Sequence, residues 1–336
     1  MKYLFYYSIL LKLVSFFYNI MAWRNVNGSN PENFELFEGW SSMFSLVAVF
    51  LSGISGAFFA SAYKVRKRMG FPVPPVLLLF SLFYLLLSFS IALLSGQLVF
   101  SRGLLGIGVA HGLAMILSML CYSYVMERAK LGITWTIIQF SVLLPFFLSI
   151  VLYCERPGPV TWAGIFCIFL AIALFSLSKT KQSDGRAIPD ASTGLLLVAS
   201  ALLTGVALAI PKIYTAVFPD LRIFALLTYS SSTMVLVTLP LALAWRLRAP
   251  AHPLSPGLLP FAAYMSITSQ AAAAFLILAV KGVPGSVVYP LRNVISILLV
   301  LLISILVFRE KISPAEGIGT AVAVAGIAVL SASTGG

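Results

Sequence analysis

The residues best placed to do chemistry are charged and polar groups set inside apolar runs. Arg292 stands in Tyr289-Pro290-Leu291-Arg292-Asn293, just inside an apolar run from Val287 to Phe308. A guanidinium at that depth can bind a carboxylate or phosphate through two parallel hydrogen bonds. An ionisable group inside a bilayer is expensive, which makes it a functional candidate; the competing reading is that the side chain snorkels to the interface. Pro290 beside it frees a backbone carbonyl. Lys212, next to Pro211 near the end of another run, admits the same two readings. Polar side chains elsewhere could complete an anion site: Tyr289 and Asn293 beside Arg292, His111 in a third run, Gln139 in a fourth, and Tyr264 and Gln270 in an eighth. Aligning Gly132 with Gly285 places His111 opposite Tyr264, so two related helices could present both to one central cavity. The alternative for His111, and for Gln139, is a plain hydrogen bond between helices.

What is missing narrows the chemistry. Asp and Glu total 10, and none falls securely at mid-bilayer. An exporter that trades protons for organic cations needs a buried carboxylate, so that reading is weakened. Only two histidines exist, His111 and His252. An intramembrane enzyme would need a nucleophile with a base, paired carboxylates or a metal, and no phosphate-binding Walker loop, GxSxG or HExxH motif occurs. Cys121, Cys154 and Cys167 show no metal or disulfide spacing. The expectation is a protein that is not an enzyme and holds no cofactor or metal.

The elements that carry these residues follow from composition. The 336 residues are 60% hydrophobic and 10% charged, against about 25% charged in soluble domains. The apolar runs are long and many, so the chain reads as an all-α polytopic membrane protein. The net charge of +12 lies in loops between spans, where it suits retention at a membrane face, and nucleic acid is not expected as a partner. Ten spans are expected: 43–63, 76–94, 104–125, 133–153, 160–177, 195–214, 223–245, 258–280, 287–308 and 318–330. Gly108 and Gly112 form a small-xxx-small face in the third. Residues 1–42 form an N-terminal hydrophobic segment and a polar linker. The segment is a poor signal peptide and reads equally as a further span, an interfacial helix or an over-long start. The polar stretch 179–193 divides the chain into a first half, 43–178, and a second, 194–333.

The halves are related. A constant offset lays LSIVLYCERPGPVTWAGIFCIFLAIALFS (148–176) on ISILVFREKISPAEGIGTAVAVAGIAVLS (303–331). Glu155 falls on Glu310 and Gly164 on Gly319. Both glutamates sit in turns, where they would hold the turn or cap the next helix at its positive end. Five spans per half force the two copies into opposite membrane orientations, an inverted-repeat plan with a site near the midplane.

Ten spans in two such repeats, each ending in helix, Glu-containing turn and Gly/Ala-rich helix, resemble the drug/metabolite transporter superfamily, in particular its EamA-type members. Glu155 with Gly164, and Glu310 with Gly319 and Gly326, carry the resemblance, which covers about residues 43–333. It implies a secondary carrier working by alternating access, with a small-molecule substrate. It also implies that both ends of the ten-helix unit face the cytoplasm. Loop charges point the other way: Lys64, Arg66, Lys67 and Arg68 lie on the basic side, which positive-inside logic places in the cytoplasm with the unit's ends outside. Orientation therefore stays open. A plasma (inner) membrane, multi-pass location and a possible homodimer complete the expectation. Arg292 favours an anionic or zwitterionic metabolite. The rivals are a multidrug or amphiphile exporter, a non-transporting membrane partner, and an intramembrane enzyme.

Overall fold

The computed structural model describes residues 34–128, 138, 140–177, 191–218, 220–248, 255–307 and 314–333. Gln139, Glu310, the segment before residue 34 and most of the 179–193 linker lie outside them. Ten α-helices and no strand occur among the described residues: α1 Phe34–Met69, α2 Val73–Leu94, α3 Arg102–Arg128, α4 Leu143–Tyr153, α5 Pro159–Leu177, α6 Ala191–Val217, α7 Ile223–Arg248, α8 Leu258–Gly282, α9 Gly285–Leu306 and α10 Pro314–Ser333. Met1–Phe44 and Ser45–Gly336 are separate compact units. Of the first, only the helical stretch from Phe34 is described, so part of the stretch read as a polar linker is helix.

Among the described residues, seven helices are long and apolar enough to cross a membrane: Phe44–Met69, Val73–Leu94, Arg102–Val125, Thr193–Val217, Ile223–Arg248, Leu258–Gly282 and Gly285–Ile303. In hydrocarbon every backbone N–H and C=O must find a partner within the segment, and a helix does this residue by residue. Large apolar side chains such as Leu86, Phe166 and Leu236 point outward, as they would toward lipid. The chain is a multi-pass membrane protein. Shorter apolar stretches lie at Phe140–Tyr153, Pro159–Ala171 and Gly317–Val329.

Prolines punctuate the helices. Pro74 and Pro75 occupy the first turn of α2, Pro159 and Pro314 begin α5 and α10, and Pro284 precedes α9. There the missing N–H costs nothing, because it would have had no helical partner. Pro211, Pro240 and Pro290 sit within α6, α7 and α9, which stay helical through them. The fourth span departs from expectation. Its described part opens with a 3-10 turn at Phe140–Val142 before the 11-residue α4. Pro145 is the reason: without an N–H it cannot bond the Ser141 carbonyl four residues back. Gly205 of α6 packs on that carbonyl, with room for a Cβ only 2.9 Å from it. The left-handed Cys154, at φ 52°, closes α4.

The helices pack as α2 on α7, α5 on α10, α3 on both α6 and α7, and α8 on both α2 and α6. Helix α9 lies on α4 and α5. Helix α1 joins α8 through Ser52 Oγ to the Ala272 carbonyl (2.8 Å) and Tyr264 Oη to the Phe58 carbonyl (3.1 Å). A reciprocal clasp ties α3 to α6. Ser200 Oγ donates to the Ser118 carbonyl (3.1 Å), and Ser118 lies 2.5 Å from Thr204 Oγ1. Gly164 and Gly319 are both buried, and Gly326 packs on the Gly164 carbonyl, 3.2 Å from where its Cβ would stand.

The small face of α3 meets α7. A Cβ on Gly108 would stand 2.5 Å from Tyr229 Cβ, and one on Gly112 would overlap the Ser230 carbonyl. Gly106, on the same helix, has nothing within 4 Å. Gly112→Ala should therefore destabilise the detergent-purified protein by about 1–3 kcal/mol in thermal unfolding, while Gly106→Ala leaves the midpoint within error. Equal midpoints for both would refute this packing.

Candidate binding cavity

A cavity of about 150 Å³ lies among α1, α3, α6, α8 and α9. Helix α9 contributes Arg292, Asn293 and Ser296, which share a face one turn deep. Helix α1 contributes Gly56, Phe59 and Tyr63, and α3 contributes His111, Ser118 and Tyr122. Thr204 and Pro211 come from α6, and Ser269, Ala272, Ala273 and Leu276 from α8. The wall is mixed: one guanidinium, an imidazole, several hydroxyls and an aromatic end where Tyr63 and Tyr122 meet edge to face at 4.6 Å.

Arg292 reaches the cavity because α1 is bare where α9 crosses it. A Cβ on Gly53 would stand 2.7 Å from Ile295 Cγ2, and one on Gly56 would stand 3.3 Å from Arg292 Nη2. Arg292 Nε donates to Ser52 Oγ at 2.8 Å, and that hydroxyl donates onward to the Ala272 carbonyl. One edge of the guanidinium is thus fixed by α1 and α8. No carboxylate among the described residues stands within ion-pair distance of it, and no acidic side chain is among those lining the cavity. His111 is 5% exposed, and its Nδ1 lies 2.7 Å from Ser230 Oγ on α7. No group of three His, Cys, Asp or Glu that could hold a metal occurs among the described residues.

The other sequence candidates lie elsewhere. Tyr264 does not line the cavity; the lining face of α8 runs through Ser269, Ala272, Ala273 and Leu276, and five residues earlier is about 140° around the helix. Its hydroxyl is turned instead to α1. Gln270, one residue off that face, is buried at 3% exposure, with no hydrogen-bond partner for either amide atom. Tyr289 is buried at the start of α9, against Gly285. Gln139 lies outside the described residues. Residues the sequence reading passed over include Ser52, Gly56, Ser230 and Ser296. The spacing Ser52-Gly53-Ile54-Ser55-Gly56 was the available signal for a close crossing.

Lys212 is paired within the protein. Its Nζ lies 2.8 Å from Glu155 Oε1 and 5.4 Å from the centre of the Tyr153 ring. Glu155 also accepts the Gly285 and Ser286 amides, at 3.0 and 2.9 Å. It therefore caps the positive end of α9, in the other half of the chain, rather than the helix that follows it. Three helix ends meet at this carboxylate: the close of α4, the last turns of α6 and the start of α9. Its repeat mate Glu310 lies outside the described residues.

Burial opposes the charge on Glu155, but the hydrogen bonds from Lys212, Ser286 and Gly285 outweigh it and hold the carboxyl below its ordinary range. A carboxyl depressed in the folded state adds stability above its unfolded pKa, and loses it as pH falls through the folded one. Glu155→Gln and Lys212→Ala should each cost about 1.5–3 kcal/mol near neutral pH, the range for hydrogen bonds to charged groups. The gap between parent and Glu155→Gln should close as the pH drops through and below the usual carboxylate range. A gap that stays constant with pH in thermal unfolding would contradict the pairing.

Comparison with known proteins gives the fold alone. No family model and no curated protein matches the chain. Among 28 similar chains of known structure, one, described only as the crystal structure of a protein, superposes with a TM-score of 0.62 at 17% identity. The match covers 87% of this chain and 96% of that one, so the helix arrangement is one already seen in a solved protein.

Proposed function

We propose that this chain is a secondary carrier of small organic anions or zwitterions, working by alternating access and without enzymatic activity. The observation that carries the reading is Arg292, the one charged side chain among the described residues that lines a cavity inside a bundle of membrane-spanning helices. A charge at the bilayer centre costs about 2.5–3.5 kcal/mol on insertion scales. Where the protein supplies no acidic partner among the described residues, an anionic solute would balance it.

The same proposal takes the ten helices as ten spans in two inverted five-helix repeats of the drug/metabolite transporter type, in a plasma membrane. The packing supports it. Exchanging each helix of the first half with its mate in the second turns α3 on α7 into α8 on α2, and leaves α2 on α7 and α5 on α10 unchanged. Alternation along ten spans also puts the ends that meet at Glu155 on one membrane face. That node lies beside the end of the cavity marked by Pro211. Opening there would require it to part.

The test is thermal unfolding of the detergent-purified protein against pyruvate, methanesulfonate, succinate, glutamate, alanine, choline and tetraphenylphosphonium, in the parent and in Arg292→Gln. A solute that binds only the folded state raises the midpoint, by about 2.7 kcal/mol of stability at a hundred times its dissociation constant. An anion or zwitterion should stabilise the parent, lose at least tenfold in affinity in the variant, and cross liposome membranes only where the parent is reconstituted. Stabilisation by the cations alone, indifferent to Arg292, would replace this reading with the multidrug exporter. The scaffold reading requires neither binding nor flux.

A further inference from the structure

We propose that His111 is the proton-coupling group of the cavity, taking up a proton when an anion seats on Arg292. The proposal rests on the carrier reading above and adds to it the coupled ion and the residue that carries it.

The surroundings of His111 leave it that role. Imidazole is the side chain that gains and loses a proton near neutral pH without special tuning. The charged and titratable groups facing it can be named helix by helix. Helix α9 presents Arg292, with Tyr289 a turn away. Helices α1 and α3 present Tyr63 and Tyr122, with Arg66 a turn beyond. Helix α7 presents Ser230, and the hydroxyl of its neighbour Tyr229 is committed to the Val99 carbonyl. From α8 comes Ser269, with Tyr264 off the lining face and bonded to Phe58; from α6, Lys212 follows the lining Pro211 and is held by Glu155. Guanidinium, ammonium and phenol keep their charge state near neutral pH. A carrier that exchanges protons here must do so on the imidazole.

The hydrogen bonding of α7 supplies a second observation. In the run from Thr228 to Thr233, the hydroxyls of Thr228, Ser231, Ser232 and Thr233 each donate to the carbonyl four residues back in their own helix. Ser230 does not; its hydroxyl is turned across the interface to His111 Nδ1. A hydroxyl is both donor and acceptor. It donates to Nδ1 of the neutral ring, and by rotating it accepts from Nδ1–H of the charged ring. The proton is added at Nδ1, the Ser230 hydroxyl reverses, and no bond to Ser230 is lost in either state. The protonated ring and Arg292 line one small cavity, where two cations repel. An anion between them removes the repulsion, so anion and proton bind cooperatively and each raises the other's affinity by the same factor. Both then leave together at the other face.

The experiment measures the affinity of the purified parent for pyruvate and for methanesulfonate, whose own charge is constant near neutral pH, as a function of pH. It also follows proton uptake on mixing in weakly buffered solution. Linkage of a single proton makes affinity rise about tenfold per unit fall in pH, with about one proton taken up per anion. In His111→Gln, which keeps a side-chain partner for Ser230, anions should still bind, with a flat pH profile and no proton uptake. A merely structural histidine would alter stability and leave the slope untouched. Ser230→Ala should keep the slope but displace it along the pH axis, which tests the idea even if His111→Gln fails to fold. Anion binding that is independent of pH in the parent, a slope that survives in His111→Gln, or an unshifted profile in Ser230→Ala overturns the proposal and leaves the carrier reading standing. Absence of any anion binding removes both.

Discussion

The close crossing of α1 and α9 at Gly53 and Gly56 is the contact on which the cavity depends. It brings two helix backbones together where any larger side chain on α1 would strike Ile295 or the guanidinium of Arg292. Without a hydrophobic force between helices in lipid, close packing and interhelical hydrogen bonds must supply the association. The crossing supplies both, through the bare stripe on α1 and the bond from Arg292 to Ser52. The same bareness lets a long cationic side chain lie across α1 and show its outer edge to the cavity. A tight seam and an exposed charge are two results of one pair of glycines.

The position of that charge along α9 is set by a second polar contact. Glu155 holds the first two amides of α9 and an ammonium from α6. A carboxylate at a helix's positive end is favourable in itself, and the neighbouring ammonium steadies it. Arg292 stands about two turns further in, so its depth is measured from an anchored end. Glu155 thus connects the sequence repeat to the cavity through a helix of the opposite half. The Tyr63 and Tyr122 rings lie at the other end of the cavity wall.

Membrane class and most helix limits among the described residues were legible in the sequence, because lipid demands long apolar runs and prolines mark their starts. The prominence of Arg292 was legible too, since charge inside such a run is rare. Partners were not. Nothing in the spacing told that Lys212 would meet Glu155, because the two are far apart in the chain and near only after α4, α6 and α9 assemble. Tyr264 misled because aligning repeats fixes a level in the membrane and says nothing of rotation about the helix axis. The interruption of the fourth span at Phe140–Val142 was foreshadowed by Pro145, but propensity alone cannot say whether a proline kinks a helix or shortens it. Ser230 was hidden among like neighbours, and only the three-dimensional structure separates a hydroxyl bonded to its own helix from one turned outward.

That separation has a consequence for how such a cavity changes over evolutionary time. Thr204 and Ser118 line the wall, yet their hydroxyls are already engaged with Ser200 and with each other. They give the wall shape rather than free hydroxyls. On the carrier reading proposed above, the polarity offered to a solute comes chiefly from Arg292, His111 and Ser269. On that reading selectivity is concentrated in very few positions, and two of them, Arg292 and His111, also carry bonds between helices. A lineage that exchanged Arg292 or His111 for a new solute would also give up a helix-to-helix bond, whereas Ser269 could change with the bonds that hold the bundle left in place.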